Sequence, residues 1–491
     1  MAAHFLAFDL GAESGRAMSG RLRSGLLELT EVCRFPNEPV RARDSLHWDF
    51  PRLWSDLQRS LQHIEHDGRR LDSVAVDAWG CDYGLVDEEG RLLGNPYHYR
   101  DSRTDGVMAE VVGRLGRNRI YDVTGIQFLG FNTLYQLVAA RQRTPQMLDS
   151  AAAFGTIPDI LNLWLTGELR AEYTAATTTQ MVDARTRTWA ESLLRDLDIP
   201  LHLLPEIIEP GSVLGALTGT AVARFRDTPV VVPACHDTGS AVAAVPAFGS
   251  RAFLSSGTWS LLGIEVPQPI ITPQTLEANF TNEGGVCGTT RLLKNIGGLW
   301  LLQSCRRTWA QHGQDFEYAE LSEAAAAEPQ AFRSLFDPDD PSFLHPSDMP
   351  RAIGDYCRRT GQPEPSRPAA YTRAIFESLA FKYRVVLDTL EAVTGTPIAE
   401  VQVVGGGSRN RLLNQFTADA TGRTVLAGPA EATALGNIAM QMLATGAVAT
   451  LAEARGIIAH SFPVERFAPV AADCWDAHYR RFCDYVELTC V

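Results

Sequence analysis

The feature that most constrains the fold is a pattern that occurs twice, in stretches about half the chain apart. In each stretch an apolar strand leads into a short turn of small and polar residues, and a second apolar strand follows. The first copy is His4–Gly20, whose turn includes Gly11 and Gly15. The second copy is Arg251–Val266, which turns at Ser255–Thr258. A repeat with a period near half the chain indicates two related domains built on the same arrangement of strands.

The remaining pattern predicts that both domains are of the α/β class. Strand-like runs alternate with amphipathic helices, and the strongest helix is predicted at Ala369–Val393, where apolar residues recur every three or four positions. We expect the chain to divide near Phe248-Gly249 into residues 1–248 and 249–491, joined by a hinge. Two such domains that face each other leave a cleft, which is the preferred place for a small-molecule site.

The composition argues against several classes of function. The formal net charge is −14 at pH 7, whereas nucleic acids and anionic membranes attract basic surfaces. Hydrophobic residues make up 45% of the 491 residues, which allows sizeable cores. The nine cysteines form no CxxC pair, and this favours reduced thiols over a disulfide framework or a zinc site. With neither a signal peptide nor a membrane-spanning run in the sequence, we expect a cytoplasmic protein, either a monomer or a small homo-oligomer.

Pro229–Val245 contains the most informative polar cluster. Three valines, Val230–Val232, predict a short buried strand, and the polar run His236–Ser240 follows it. Asp237 in that run has two interpretations. Taken alone, the pattern favours an aspartate that caps the next helix. The alternative is a carboxylate that the sheet fixes at a strand end, open to a cleft. We interpret the neighbouring Cys235 as a packing residue.

Other polar stretches remain open to two interpretations each. Tyr97–Arg103 offers side chains that bind hydroxyl groups, but a solvated loop has the same composition. Thr174–Gln180 is either an ordered loop or a linker. Gly405–Gly407 lies between a predicted strand and a predicted helix, where glycines let a ligand approach the backbone. The helix that follows favours an ordered turn over a flexible joint.

Taken together and in this order, these motifs resemble the FGGY carbohydrate kinases. The stretches that carry the likeness to the family are Asp9–Arg16, Ser255–Trp259 and Gly405–Gly407. Within the family, the likeness is greatest to members that phosphorylate L-rhamnulose. The stretches that carry this second likeness are Trp79–Tyr83, Tyr99–Thr104, Gly125–Phe128, Phe131–Leu137, Tyr173–Gln180, Ser240–Val242, Leu293–Ile296 and Leu299–Gln303.

The resemblance implies a fold and a reaction. The fold is α/β, with two duplicated ribonuclease-H-like domains of the actin-like ATPase type and an interdomain cleft. The reaction transfers phosphate from ATP to L-rhamnulose with Mg²⁺ and gives L-rhamnulose 1-phosphate. Rival interpretations are a family member that acts on L-fuculose or a pentulose, an actin-like ATPase switch, and a sugar sensor that has lost catalysis.

The resemblance also implies roles for individual residues. Asp237 matches the catalytic base and Asp9 matches the carboxylate that holds Mg²⁺, usually through water. The positions that match sugar contacts, besides the base, are Gly80, His236, Thr238 and Asn295. The positions that match the phosphate loops and the nucleotide side are Ala12, Glu13, Ser14, Gly15, Arg16, Thr258, Gln303, Gly406 and Gly407.

The first loop departs from the family pattern at two positions. Many members carry threonine-type hydroxyls there, where this chain has Ala12 and Glu13. Because Glu13 would repel phosphate, we expect its side chain to point away, so that backbone N–H groups supply the contacts. Arg16 has two interpretations, a positive charge for the phosphates or a structural salt bridge.

Overall fold

The computed structural model of the protein describes residues 3–66, 68, 70–246 and 250–489. The chain forms two compact units. The first unit consists of Met1–Pro246, Glu265–Leu292 and Ala432–Phe462, and the second of Ala247–Ile264, Leu293–Glu431 and Pro463–Val491. The predicted domains are two continuous stretches, residues 1–248 and 249–491, whereas each of these units consists of three segments of the chain. The predicted boundary at Phe248-Gly249 lies outside the described residues.

The strands, numbered along the chain, are β1 (Ala3–Leu10), β2 (Ser14–Arg23), β3 (Leu26–Pro36), β4 (Pro39–Ala42), β5 (Ser45–Trp48), β6 (Ser73–Ala78), β7 (Tyr83–Val86), β8 (Ala153–Thr156), β9 (Ala171–Glu172), β10 (Val182–Asp183), β11 (Thr188–Trp189), β12 (Ile207–Ile208), β13 (Ser212–Ala216), β14 (Pro229–Val232), β15 (Arg251–Ser256), β16 (Trp259–Val266), β17 (Thr281–Gly284), β18 (Thr290–Gly297), β19 (Glu400–Val404), β20 (Thr424–Ala427) and β21 (Glu465–Phe467).

The α-helices are α1 (Phe50–His66), α2 (Val107–Leu115), α3 (Arg117–Thr124), α4 (Thr133–Arg143), α5 (Pro145–Ser150), α6 (Ile157–Thr166), α7 (Tyr173–Thr178), α8 (Glu191–Asp196), α9 (Asp237–Ala243), α10 (Pro273–Glu277), α11 (Trp300–Gln311), α12 (Tyr318–Ala326), α13 (Met349–Arg359), α14 (Pro368–Thr394), α15 (Arg411–Thr421), α16 (Ala432–Ala444), α17 (Leu451–Ser461) and α18 (Ala472–Thr489). Short 3₁₀ turns lie at Ser102–Thr104, Leu201–Leu203, Ala223–Phe225, Pro341–Phe343 and Gly406–Arg409.

The sheet of the first unit places three parallel strands side by side. Its order is β13–β14–β6–β1–β2–β3, in which β14, β6 and β1 are parallel neighbours and β2 returns antiparallel to β1. The inner strand β6 is buried along its whole length. This explains its almost uniformly small or β-branched residues, since a parallel strand is covered on both faces.

The second large sheet repeats this arrangement and confirms the predicted duplication. From one end its order is β17–β18–β16–β15–β19–β20–β21. Strands β15 and β16 pair antiparallel like β1 and β2, and β19 and β20 continue in parallel from β15. The outer strand β21 is antiparallel to β20, just as β13 is antiparallel to β14. The long helix predicted at Ala369–Val393 is present as α14.

Helix α16 packs closely against α9 in the first unit. Gly436 makes this approach possible, because a Cβ atom there would overlap the backbone carbonyl of Ser240. On the same helix Gln441 donates to the Leu6 carbonyl and to Asn437, and accepts from the Ser73 hydroxyl. These bonds tie α16 to β1 and β6.

Candidate active site

Three aspartates lie at the carboxyl ends of the parallel strands of the first unit. Asp9 near the end of β1 is the register partner of Asp77 near the end of β6. Asp237 follows β14, and the preceding His236 forms a parallel bridge with Ala78 of β6. Because parallel strands end at the same edge of a sheet, the three carboxylates gather there, where ligands of open α/β sheets bind.

Asp237 has one occupied carboxylate oxygen and one that remains accessible. Its Oδ1 accepts from the backbone N–H of Thr238 at 2.6 Å and from the Thr238 hydroxyl at 3.3 Å, and His236 Nε2 lies 3.4 Å away. Among the described residues no hydrogen bond reaches Oδ2, and the side chain is 29% exposed. Oδ2 is therefore available to accept a proton.

This geometry differs from that of a capping aspartate. The N-cap of α9 is His236, and Asp237 is the first helical residue. A capping side chain accepts from backbone N–H groups two or three residues ahead, whereas Asp237 accepts from the residue directly after it. The cap interpretation left open by the sequence does not describe this side chain.

Burial raises the pKa of Asp237 and of Asp77. For Asp237 the cause is desolvation, which His236, the hydrogen bonds from Thr238 and the charge of Arg291 oppose in part. The pKa of Asp77 is raised well above its usual value by its complete burial and then by the charge of Asp9. One Asp77 oxygen accepts from Asn437 at 2.6 Å, while Oδ1 is buried without a hydrogen-bond partner among the described residues.

Asp77 is a candidate site residue that the sequence alone did not indicate. The signal was present, because Asp77 ends a strand just as Asp9 does, with polar residues after it. A strand-end aspartate becomes recognisable as part of a site only when the register places it beside another carboxylate.

A buried ion cluster adjoins Asp237 through His236. Nδ1 of His236 lies 3.2 Å from Oε2 of Glu283 and 3.2 Å from Nη2 of Arg291. The same Nη2 atom is 3.2 Å from Glu283 Oε2. Glu283 belongs to β17 and Arg291 to β18, and no local sequence pattern marks either residue.

The first turn, between β1 and β2, is held by internal contacts. The Gly11 N–H donates to the Ser14 carbonyl at 3.0 Å, and the Asn37 side chain donates to the Gly11 carbonyl at 2.8 Å. Gly15 owes its identity to packing, because a Cβ atom there would overlap the ring of Phe35.

The other residues implied for this turn are partly accessible. Ala12 and Ser14 are half-buried, and Glu13 is exposed. Arg16 donates to Oδ2 of Asp9 at 2.6 Å, which is the salt bridge that the sequence left as one of two interpretations.

The arrangement of carboxylates fits a magnesium ion held mainly through water. No group of three or more His, Cys, Asp or Glu side chains in the described residues is placed to ligate a metal directly. Mg²⁺ keeps several waters and usually takes only one or two carboxylates besides substrate phosphates. Asp9 and the Asp77 oxygen that lacks a partner meet that requirement.

Gly80 and its neighbours form a compact polar region at the end of β6. A Cβ atom on Gly80 would press against the Thr178 side chain, and the Cys81 N–H donates to the Thr178 hydroxyl at 3.1 Å. The buried Asp82 accepts from two indole N–H groups, of Trp48 at 2.6 Å and of Trp79 at 3.0 Å. Desolvation raises the pKa of Asp82 to about 6.

The residues implied for the nucleotide lie on the turns of the second unit. Thr258 is half-buried in the β15–β16 turn, and its carbonyl accepts from the Trp300 N–H at the start of α11. Gln303 on α11 has a buried Oε1 with no hydrogen-bond partner in the part of the chain that the structure describes. Asn295, implied for the sugar, lies half-buried on β18 in the same unit.

The glycine turn after β19 is ordered, as the helix after it suggested. A Cβ atom on Gly407 would overlap Oγ of Ser256, and Gly405 has φ of 80° close to the Ser256 carbonyl. Gly406 faces open space, since no atom lies within 4 Å of its would-be Cβ. Packing on β15 therefore explains Gly405 and Gly407, and Gly406 is the accessible member.

The other stretches that had two interpretations are mostly buried. Most of the Tyr97–Arg103 loop is buried, and its Asp101 accepts from the backbone N–H groups of Leu46 and Arg103. Thr174–Gln180 is neither a loop nor a linker, because most of it is the buried helix α7. Burial raises the pKa of Cys235 well above its usual value, in keeping with a packing role.

Family models match nearly the whole chain. The N-terminal domain model of the FGGY family of carbohydrate kinases matches residues 4–244, and the C-terminal domain model matches residues 252–445. The chain belongs to the FGGY family of carbohydrate kinases. The enzyme class is therefore that of a kinase which transfers phosphate to an alcohol group of a small molecule.

Individual relatives agree with this FGGY assignment. The chain is 44% identical over 486 residues to a rhamnulokinase of Bacteroides thetaiotaomicron, covering 98% of this chain and 99% of that protein. It is 46% identical over 483 residues to a rhamnulokinase of Pectobacterium carotovorum subsp. carotovorum, covering 98% and 96%. The solved structure of a ligand-bound xylulose kinase from Lactobacillus acidophilus has the same fold, with a TM-score of 0.82 at 16% identity over 100% and 99% of the two chains. In the described residues of this FGGY protein, no helix is long and apolar enough to cross a membrane.

Proposed function

We propose that this protein catalyses the ATP-dependent phosphorylation of L-rhamnulose to L-rhamnulose 1-phosphate. The observation that carries the proposal is the identity of 44% and 46% to two rhamnulokinases over nearly the whole chain. The first unit supports it with a partly exposed carboxylate at a strand end, which is the kind of group that takes a proton from a hydroxyl.

Asp237 acts as the general base in this proposal. The hydroxyl on carbon 1 of the ketose donates a hydrogen bond to Oδ2, which has no partner among the described residues. As the oxygen of that hydroxyl bonds to the γ-phosphorus of ATP, its proton passes to Asp237 and the bond to the β-phosphate oxygen breaks. The bonds of Thr238 to Oδ1 hold the carboxylate in place during the transfer.

Other residues bind and orient the reactants. His236, Thr238, Gly80 and Asn295 contact the sugar. The Trp79 indole, held by Asp82, provides an apolar wall for the methyl group and ring carbons. The phosphates of ATP are bound by backbone N–H groups of residues 12–16 and by Thr258, and the nucleotide by Gln303, Gly406 and Gly407.

Magnesium completes the proposed chemistry. Bound Mg²⁺ would supply positive charge to the transferred phosphate. Asp9 would hold it through water, while Arg16 fixes one oxygen of that carboxylate at 2.6 Å. Asp77 offers a further oxygen beside it.

The test is ADP release by the purified protein with a panel of sugars. L-Rhamnulose, L-fuculose, xylulose and glycerol are offered at equal concentrations with ATP and Mg²⁺, and kcat/KM is compared. We expect the highest value for L-rhamnulose. A higher value for another sugar overturns the substrate and keeps the kinase, whereas ADP release that does not depend on any sugar indicates an ATPase switch.

A further inference from the structure

The ion cluster beside Asp237 places a charge in the interior at a high cost. The guanidinium of Arg291 is fully buried and the Glu283 side chain is only 5% exposed. Arg291 Nε donates to the Gly284 carbonyl at 2.8 Å, and Nη1 has no hydrogen-bond partner among the described residues. A buried ion pair contributes little to stability, because desolvation offsets the attraction between its charges. The pair therefore calls for an explanation other than stability.

The cluster reaches Asp237 through a single imidazole. Nη2 of Arg291, which can only donate, lies 3.2 Å from Nδ1 of His236. Nε2 of the same ring lies 3.4 Å from Oδ1 of Asp237, which as a carboxylate oxygen can only accept. The tautomer with its proton on Nε2 suits both contacts. Oε2 of Glu283 lies 3.2 Å from both His236 Nδ1 and Arg291 Nη2, and its negative charge balances the charge of Arg291.

We propose that Arg291 and Glu283 are positioning residues for the phosphoryl transfer, which act on Asp237 through His236. They hold the imidazole with its Nε2–H toward Oδ1, and this keeps Oδ2 free for the sugar hydroxyl. The inference rests on the proposed function, in which Asp237 is the base. It adds two residues from β17 and β18 to the machinery of that reaction.

The titratable and charged groups around Asp237 come from three neighbouring strands as well as its own segment. They are His236 beside it, Asp77 on β6, Glu283 on β17 and Arg291 on β18. Loss of Arg291 removes a positive charge that lowers the pKa of Asp237, so protonated Asp237 becomes more favourable. The acidic limb of kcat/KM then moves to higher pH. A role confined to packing does not move this limb.

The variants separate charge from geometry. Arg291→Gln removes the charge, Arg291→Lys keeps the charge without the planar fork, and Glu283→Gln keeps the shape of the partner. The matched control is Glu265→Gln, which breaks another buried ion pair of the first unit, at 2.8 Å from Arg455. Thermal unfolding of each variant identifies those that are folded.

The assay measures kcat, the KM values for ketose and ATP, and the pH profile, with the sugar that the wild-type protein prefers. We expect Glu283→Gln and Arg291→Gln to lose about tenfold or more in kcat/KM for the ketose, with KM for ATP within about twofold of wild type. The acidic limb of the kcat/KM profile moves to higher pH in Arg291→Gln. In Arg291→Lys the limb returns to its wild-type position, but kcat/KM stays low. Glu265→Gln keeps its rate.

Two outcomes overturn the inference. One is a wild-type kcat/KM in folded Glu283→Gln and Arg291→Lys, together with an unmoved acidic limb wherever Arg291→Gln folds. The other is a loss no greater than that of Glu265→Gln. If Arg291→Gln does not fold, the remaining two variants decide. Because the wild-type preference is measured on the full sugar panel, a wrong substrate is recognised separately and leaves this comparison valid.

Discussion

Replacement of Asp237 by asparagine removes the proposed base with little change to its surroundings. The amide oxygen of the introduced side chain can take the position of Oδ1 and still accept from the Thr238 N–H, which lies 2.6 Å from that atom. The amide nitrogen takes the position of Oδ2, where it can donate but cannot accept a proton. The substitution therefore tests proton transfer with the local hydrogen bonds retained.

Two effects of the substitution are expected, one on kcat and one on thermal stability. A positioned general base contributes roughly 10²–10⁴ in rate, so kcat of Asp237→Asn falls by that factor. This corresponds to about 3–5 kcal/mol of transition-state stabilisation. Because desolvation raises the pKa of Asp237, the ionised carboxylate is disfavoured in the folded state. We therefore expect the thermal stability of the variant to equal or exceed that of the wild type.

The assay couples ADP release to a spectrophotometric readout with saturating ATP and ketose, and binding of both ligands is followed by calorimetry. The control is Asp183→Asn, a half-buried aspartate of the same unit whose Oδ1 accepts from the Arg185 and Thr186 N–H groups. We expect the control to keep its rate. A kcat of Asp237→Asn within about threefold of wild type would contradict the base assignment, since general-base catalysis is worth far more.

Three further predictions follow from individual residues. The pKa of Asp237 lies above its usual 3.8, and only the ionised form accepts a proton. We therefore expect kcat/KM for the ketose to rise with pH through a pKa above 3.8. An acidic limb at or below 3.8 contradicts the prediction. Gly407→Ala should lower stability by about 1–3 kcal/mol in denaturant titrations, because its Cβ overlaps Ser256, whereas Gly406→Ala should not; equal losses refute the packing argument. Cys235 should resist alkylation in the native protein and react after denaturation, as mass spectrometry of its peptide can check, because burial raises its thiol pKa; native labelling refutes this.

Local sequence patterns predicted the scaffold of the site well. The strand ends at Asp9 and Asp237 and the long helix at Ala369–Val393 depend on periodicity and on turn residues, which act over a few positions. The turn glycines were recognised from the sequence, but a second reason for two of them was not. Gly15 and Gly407 are required by contacts with Phe35 and Ser256, which lie far away in the sequence.

Two stretches show where local patterns are insufficient. Thr174–Gln180 has poor helix formers, yet it forms most of the buried helix α7, whose first turn is capped by the Glu172 carboxylate. Tertiary packing overrides weak propensity there. A solvated loop was one of two interpretations of Tyr97–Arg103, but its Asp101 accepts hydrogen bonds from backbone N–H groups inside the protein.

The duplicated α/β arrangement, the family and the identity of the aspartate proposed as base could be predicted from the sequence, because these follow from short patterns and from their order. The position of Asp77 beside Asp9 and the contacts of Glu283 and Arg291 with His236 became visible in the folded chain. Strand register and the crossing of chain segments bring these groups together from positions far apart in the chain. The electrostatic character of a site depends on such distances and on burial, which no local stretch of sequence specifies.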